Sequence, residues 1–126
     1  MYLFLASQDL TTLDLCLFDQ AGITHQTHLS STPESFLFSL DQTLSSWGVV
    51  LDAIKGIVVV SGPGSFTSSR LSVIIANAIA FRFGLPLLGV PNPDRLTPEE
   101  LIKQVDLSEL KQAFVQPVYD RPPFIT

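Results

Sequence analysis

The first thirty residues alternate between apolar and polar positions in the manner of β-strands. Residues 2–6 form a short apolar run, and residues 13–18 place leucines at every second position. Residues 23–29 are mostly polar, which is typical of a strand at the edge of a sheet. Short polar turns separate the three runs. The pattern therefore predicts an antiparallel meander of three strands.

A helical repeat follows the meander. Thr32 is the predicted N-cap, and Pro33 suits the first helical position because it needs no hydrogen-bond acceptor for a backbone N–H. Apolar residues then recur at helical spacing until Gly48, which we expect to end the helix. The predicted apolar face consists of Phe36, Leu37, Leu40, Leu44 and Trp47.

The middle of the chain reads as strand, helix and strand. Residues 57–60 form a β-branched run without a polar break, as expected of a strand buried on both faces. A second helix is predicted from about residue 66 to 83, ended by Gly84, and residues 85–90 form the last strand. The order β-β-β-α-β-α-β predicts an α/β half-domain with a mixed five-stranded sheet.

The second helix is apolar almost all the way round, although one small sheet can cover only one side of it. Either the first helix covers the other side in a tight helix pair, or a partner protein does. The second alternative predicts a protein interface on the two helices. Its candidate residues are Phe36, Leu40, Leu44, Leu71, Ile74, Ile75 and Ala78.

Prolines around residue 92 end the regular pattern. Thr97 then caps a short predicted helix that runs to about Gln104, and residues 114–126 form a proline-rich, extended tail. We therefore expect a domain over residues 1–90. Residues 91–126 are expected to add a short helical link and the tail.

A glycine loop joins the fourth strand to the second helix. Loops of this shape can direct backbone N–H groups at a phosphate, although this one lacks the lysine of a P-loop. Ser65 or Thr67 could cap the helix, and Arg70 lies one turn into it. The alternative is a purely structural turn. The candidate phosphate-binding residues are Gly62, Pro63, Gly64, Ser65, Thr67 and Arg70.

The composition narrows the classes of function. A net charge of −5 argues against nucleic-acid binding by the chain alone, because such binding relies on a basic patch. The single cysteine, Cys16, excludes an internal disulfide. We see no signal peptide, and the apolar run over residues 73–83 is too short for a membrane span and contains Asn77 and Arg82. We expect a cytoplasmic protein.

The sequence offers no convincing catalytic constellation. Asp9, Asp14 and Asp19 lie in the first hairpin and could imitate a metal site, but no matching acid follows, which favours a solvated edge. His25 and His28 fall on opposite faces of the third strand and cannot share a metal ion through it. We therefore predict no catalytic residue, no metal site and no cofactor.

The string Gly62-Pro63-Gly64-Ser65-Phe66-Thr67, followed by Arg70, closely resembles the GPGSFTGxR signature of the TsaB (YeaZ-type) family. Residues 52–56, 85–90 and 115–121 also resemble that family. The resemblance implies the RNase H-like, actin-like ATPase fold. It also implies a non-catalytic subunit of the machinery that makes threonylcarbamoyladenosine on tRNA.

The resemblance further implies partners. It predicts a heterodimer with a TsaD-like subunit, a TsaE-like ATPase as a further member of the complex, and only indirect contact with tRNA. Without the TsaD-like subunit, the same apolar surface would form a homodimer. The competing hypothesis is a stand-alone phosphate- or nucleotide-binding domain that uses the Gly62–Ser65 loop. A peptidase, a third alternative, has no supporting residues.

The sequence also departs from the family pattern. Family members carry a second domain where this chain has residues 91–114. Ser7 stands where nucleotide-binding members of the fold have an aspartate at the end of the first strand. Ser68, Ser72 and Ile74 stand where glycines are usual. We therefore expect the nucleotide site to be incomplete and the partner interface to differ in its packing.

Overall fold

A computed structural model of the chain describes residues 1–9, 11–64, 66–112 and 114–116. The strands are β1 Tyr2–Ala6, β2 Thr12–Asp19, β3 Gly22–Ser30, β4 Ile57–Gly62 and β5 Leu87–Pro91. The helices are α1 Phe36–Ser46, α2 Phe66–Phe83 and α3 Pro98–Gln104, and 3₁₀ turns lie at Pro33–Ser35, Leu51–Ala53 and Leu107–Glu109. The order of elements is the one that the sequence predicts.

The five strands form one mixed sheet in the order β3-β2-β1-β4-β5. The pairs β1–β2 and β2–β3 are antiparallel, whereas β1–β4 and β4–β5 are parallel. Leu3 at the centre of the sheet pairs with Leu17 of β2 on one side and Ile57 of β4 on the other. The sheet confirms the predicted α/β half-domain, with β3 at an edge.

Helices α1 and α2 cover one face of the sheet. Leucines at alternate positions of β1 and β2 point to this face, as strand geometry requires, and α2 packs mainly on β4. The buried side chains of this layer include Leu3, Leu5, Leu13, Leu15, Leu17, Phe36, Leu40, Leu44, Ile57, Val59, Val73 and Ala76.

Residues after β5 cover the second face of the sheet. Leu101 of α3 is buried there, and Leu107 and Leu110 pack partly buried beside it. Their partners on the strands are Phe4, Ala6, Cys16, Phe18, Val58 and Val60. The C-terminal segment therefore contributes to the core, which local sequence patterns did not indicate. The domain boundary at residue 90 stays a prediction.

The start of α1 and one of its side chains differ from the prediction. Pro33 begins a 3₁₀ turn, Thr32 makes no side-chain cap to it, and the α-helix starts at Phe36. Leu37, which the prediction placed on the same apolar face as Phe36 and Leu40, is 62% exposed and lies outside the buried stripe. The buried stripe follows Phe36 and Leu40 at a spacing of four, and Leu37 lies about 100° round the helix from Phe36.

The end of α1 is close to the prediction. The last helical residue is Ser46, and Gly48 follows two residues later with a φ of 69°. That left-handed conformation suits glycine and ends the helix. Within the described ranges, no helix combines the length and the apolar character needed to cross a membrane.

Candidate functional site

The glycine loop lies where the carboxyl ends of the parallel strands β1, β4 and β5 meet. Gly62 has a φ of 121°, and the Gly62–Pro63 peptide is cis. The carbonyl of Gly62 accepts a hydrogen bond from the backbone N–H of Asn92 at 2.7 Å. The carbonyl of Pro63 accepts one from Nε2 of Gln8 at 2.6 Å. The loop is thus tied to the ends of β1 and β5 through its carbonyl groups.

Asn92 is the centre of this network, because its side chain is only 3% exposed and bonded on both atoms. Its Nδ2 donates to Oε1 of Gln8 at 2.9 Å and to the carbonyl of Leu96 at 3.0 Å. Its Oδ1 accepts from the Leu96 N–H at 2.9 Å. Gln8 Nε2 also donates to the Asn92 carbonyl at 2.9 Å. Three loops that are remote in sequence are joined here.

Sequence reasoning missed Gln8 and Asn92. The available signal was a polar amide within two residues of the end of each of two strands, β1 and β5, whose carboxyl ends lie at the same end of the sheet. Buried amides of this kind need partners for each of their polar atoms.

A small cavity of about 120 Å³ lies beside the network. Its polar lining includes the carboxylates of Asp9 and Asp14 and the guanidinium of Arg95. Arg95 Nη1 lies 3.0 Å from Asp9 Oδ1, and Asp14 Oδ1 lies 2.5 Å from Nδ1 of His28. A phosphate here would face two carboxylates and one arginine that already binds one of them. The charges around this cavity therefore disfavour a phosphate within it.

Ser7 closes the turn after β1. Its side chain is buried, and its hydroxyl donates to the carbonyl of Thr12 at 2.7 Å. Asp19 Oδ1 accepts the N–H of Ala21 in the next turn. The three acids of the first hairpin thus have separate structural contacts. The described residues contain no group of three or more His, Cys, Asp or Glu that could hold a metal ion.

The predicted phosphate-binding residues differ in their exposure to solvent. Gly62 and Gly64 are buried, Pro63 is half-buried, and Thr67 and Arg70 are exposed along the first turns of α2. Ser65 lies outside the described residues. Phosphate binding by these residues therefore stays a prediction.

The predicted interface divides into core and surface residues. Phe36, Leu40 and Leu44 are 2%, 2% and 5% exposed, and they pack against the sheet. This burial corrects the predicted surface, because such side chains are unable to touch a partner in this structure. On α2, Leu71 and Ile75 are half-buried, whereas Ile74 and Ala78 are exposed.

Other apolar side chains replace the buried ones on the surface. Leu37, Phe38 and Val50 are 62%, 67% and 66% exposed around α1, and Ile74 and Phe81 are 48% and 79% exposed on α2. A groove of about 440 Å³ between the helices is lined by Leu37, Val50, Ile79 and Phe83, among others. We call Leu37, Phe38, Val50, Ile74, Ala78 and Phe81 the outer helical surface. Exposed apolar residues concentrated on one layer are typical of a protein interface.

The one cysteine has no sign of reactivity. Burial, with smaller contributions from the nearby carboxylates of Asp14 and Glu99, raises the pKa of the Cys16 thiol to about 12. A thiol that stays protonated in an apolar site is a poor nucleophile.

The sequence matches one protein-family model over most of its length. The family model described as TsaD, tRNA N6-adenosine threonylcarbamoyltransferase, matches residues 23–105. A protein of that name from Geobacter sp. (strain M21) is 42% identical over 57 residues, which are 45% of this chain and 17% of the relative. Its namesake from Geobacter metallireducens is 38% identical over 68 residues, 54% of this chain and 19% of the relative.

Solved structures share the fold. YeaZ from Pseudomonas aeruginosa superposes with a TM-score of 0.67 at 22% identity, over 82% of this chain and 50% of that protein. A structure described as an uncharacterized protein with similarity to peptidase YEAZ from Pseudomonas aeruginosa gives 0.59 at 24% identity, over 73% of this chain and 44% of that protein. These matches confirm the predicted actin-like fold. The chain spans at most half of these structures and under a fifth of the two Geobacter relatives.

Proposed function

Because this chain belongs to the TsaD family, whose model covers residues 23–105, we propose that it acts in threonylcarbamoyladenosine formation on tRNA. We propose further that it is a non-catalytic subunit that binds a larger, TsaD-like subunit. The family match carries the first statement. The outer helical surface supports the second, because it offers apolar area to a partner.

The geometry at the strand ends supports a non-catalytic role. The amides of Gln8 and Asn92 saturate one another and the loop carbonyls. Asp9 and Asp14 are engaged by Arg95 and His28. A general acid or base would have to leave these contacts before it could act on a substrate.

The outer helical surface supports a protein partner over a nucleic acid. It consists of apolar side chains, and the chain carries a net charge of −5. Such a surface gains free energy by excluding water from apolar area, whereas tRNA binding requires basic groups. We therefore propose that contact with tRNA is indirect and that a TsaE-like ATPase joins through the TsaD-like subunit. The chain and the TsaD-like subunit would assemble in the cytoplasm.

The test is size-exclusion chromatography with light scattering on the chain alone and mixed with the TsaD homologue of the same organism. A stable one-to-one complex is expected. Two separate peaks at micromolar concentrations would overturn the proposed partnership. If the chain alone forms a dimer that dissociates when the homologue is added, the homodimer and the complex with the homologue use the same surface.

A further inference from the structure

The last described residues, 111–112 and 114–116, run beside α2 and β5, and we call them the C-terminal strap. The N–H of Leu87 donates to the carbonyl of Lys111 at 2.9 Å, and the N–H of Lys111 donates back at 3.2 Å. Nε2 of Gln112 donates to the carbonyl of Gly84 at 2.9 Å. The strap thus begins as an antiparallel extension of the sheet beyond β5.

Asn77, a half-buried residue in the middle of α2, holds the strap further along. Its Nδ2 donates to the carbonyl of Val115 at 2.8 Å, and its Oδ1 accepts the N–H of Val115 at 2.9 Å. The amide therefore binds both backbone groups of one residue, as a neighbouring strand would. This contact explains why a polar side chain interrupts the otherwise apolar run of residues 73–81.

Gly89 of β5 packs against Val115 on the side opposite Asn77. A Cβ at position 89 would lie 2.4 Å from Cγ1 of Val115 and 3.1 Å from its Cγ2. The Val115 side chain thus occupies the space that a side chain on β5 would need. Val115 is held between the helix and the strand, by hydrogen bonds on one side and close packing on the other.

The contacts of Val115 also position the preceding residue, Phe114. Its ring lies 6.5 Å from the ring of Phe81, with 21° between the ring planes, and the two residues are 74% and 79% exposed. The strap therefore adds an aromatic ring to the outer helical surface without covering the ring of Phe81. A cavity of about 290 Å³, bounded by Asn77, Ala80, Leu85 and Gln112, among others, lies between strap and helix.

We propose that Asn77 is a positioning residue that latches the strap, so that Phe114 and Phe81 form one end of the surface that binds the TsaD-like subunit. The proposal rests on the proposed function for the identity of the occupant. The strap is continuous with the outer helical surface through the Phe81–Phe114 contact. Aromatic side chains are the residues that most often carry binding energy at such interfaces.

The first measurement is amide hydrogen exchange on the free 126-residue chain, which does not depend on the partner. Asn77→Leu keeps a side chain of similar size and removes both hydrogen bonds. We expect about a tenfold faster exchange of the Val115 amide, since two neutral hydrogen bonds are lost. Gln20→Leu, in the exposed turn between β2 and β3, is the matched control. Unchanged exchange in Asn77→Leu would overturn the latch.

The second measurement is the affinity for the TsaD homologue by calorimetry. Phe114→Ala and Asn77→Leu are each expected to weaken binding about tenfold, and the double variant no more than Phe114→Ala alone. Gly89→Ala displaces Val115 from the strand side with Asn77 intact, and it should weaken binding as well. The role of the strap would be overturned if the losses of affinity in Phe114→Ala and Asn77→Leu were additive in the double variant. It would also be overturned if Asn77→Leu released the strap and still bound the homologue with full affinity.

The two proposals can fail separately. If the wild-type chain forms no complex with the homologue, the proposed function fails and the surface role of the strap with it. The exchange experiment still decides whether Asn77 latches the strap. If the complex forms and Phe114→Ala does not weaken it, only the present proposal is lost.

Discussion

The side chains of Gln8 and Asn92 are joined in both directions at the end of the sheet. Gln8 Nε2 donates to the carbonyl of Asn92, and Asn92 Nδ2 donates to Oε1 of Gln8, both at 2.9 Å. The two residues lie 84 positions apart in the chain. The pair fixes the glycine loop against β1 and β5, since Gln8 also binds the Pro63 carbonyl.

Asn92→Ala is expected to lower the free energy of unfolding by about 2–4 kcal/mol, because it leaves several buried polar groups without partners. Urea denaturation followed by circular dichroism measures the change. Asp94→Ala, at an exposed position two residues away, is the control and should shift stability by less than about 0.5 kcal/mol. Equal midpoints for the two variants would show that the network is not structural.

Ile74→Asp is expected to weaken binding to the TsaD homologue about a hundredfold or more while the chain stays folded. The side chain is 48% exposed, so the carboxylate remains in water until the partner would bury it. Titration calorimetry gives the affinity and thermal unfolding gives the stability. Gln20→Asp, on the exposed β2–β3 turn, adds the same charge away from the helices.

Leu44→Asp provides the contrast to Ile74→Asp. Leu44 is 5% exposed in the core, where an unpaired carboxylate would cost more than about 4 kcal/mol. We expect this variant to unfold.

Loss of binding in Gln20→Asp as well would point to a general effect of charge, and full binding by Ile74→Asp would exclude this part of α2 from the interface.

The thiol of Cys16 is expected to make stability fall in alkaline solution. Its pKa is raised from 9.0 to about 12 in the folded chain, chiefly by burial, so the folded state keeps the proton that the unfolded state releases. The stabilisation is complete below pH 9 and is lost as the pH rises towards 12. Relative to Cys16→Ala, the free energy of unfolding should fall by up to about 1.4 kcal/mol per pH unit above 9.

Denaturant titrations at intervals between pH 7.5 and 10.5 measure this difference. Both proteins share the lysines and tyrosines that titrate in the same range, so their difference isolates the thiol. Parallel curves for the two proteins would mean that Cys16 ionises as easily in the folded chain as in the unfolded one.

Gln26→Leu is expected to raise the pKa of Glu99 towards its ordinary value. The side-chain amide of Gln26 donates to Oε1 of Glu99, and this bond is the main cause of the lowered pKa of that carboxyl. Its stabilisation is present above about pH 4.5 and is lost as the pH falls. Carboxyl carbon NMR follows the titration directly.

Lys103→Gln serves as the comparison for Gln26→Leu, because Lys103 lowers the same pKa through a weaker, charge–charge effect. The rise in the Glu99 pKa should therefore be smaller in Lys103→Gln. The reverse order would mean that the contact between β3 and α3 contributes little to the ionisation of Glu99.

The sequence alone determined the local elements and their order. Strand and helix periodicities are set by neighbouring residues, so the three-stranded meander, the two crossover helices and the N-cap at Thr97 could be predicted without the fold. The same reasoning placed His25 and His28 on opposite faces. His25 lies beside the ring of Trp47, whereas His28 binds Asp14 on the other side of the sheet.

Only the tertiary structure decided which apolar positions become core and which polar groups become partners. Phe36 and Leu37 read alike in sequence, but the sheet lies on one side of α1 and leaves Leu37 in water. Gln8 forms hydrogen bonds with Asn92, and Asn77 forms them with Val115 at a separation of 38 residues. Such contacts depend on how strands and loops converge in space, and no local periodicity encodes that convergence.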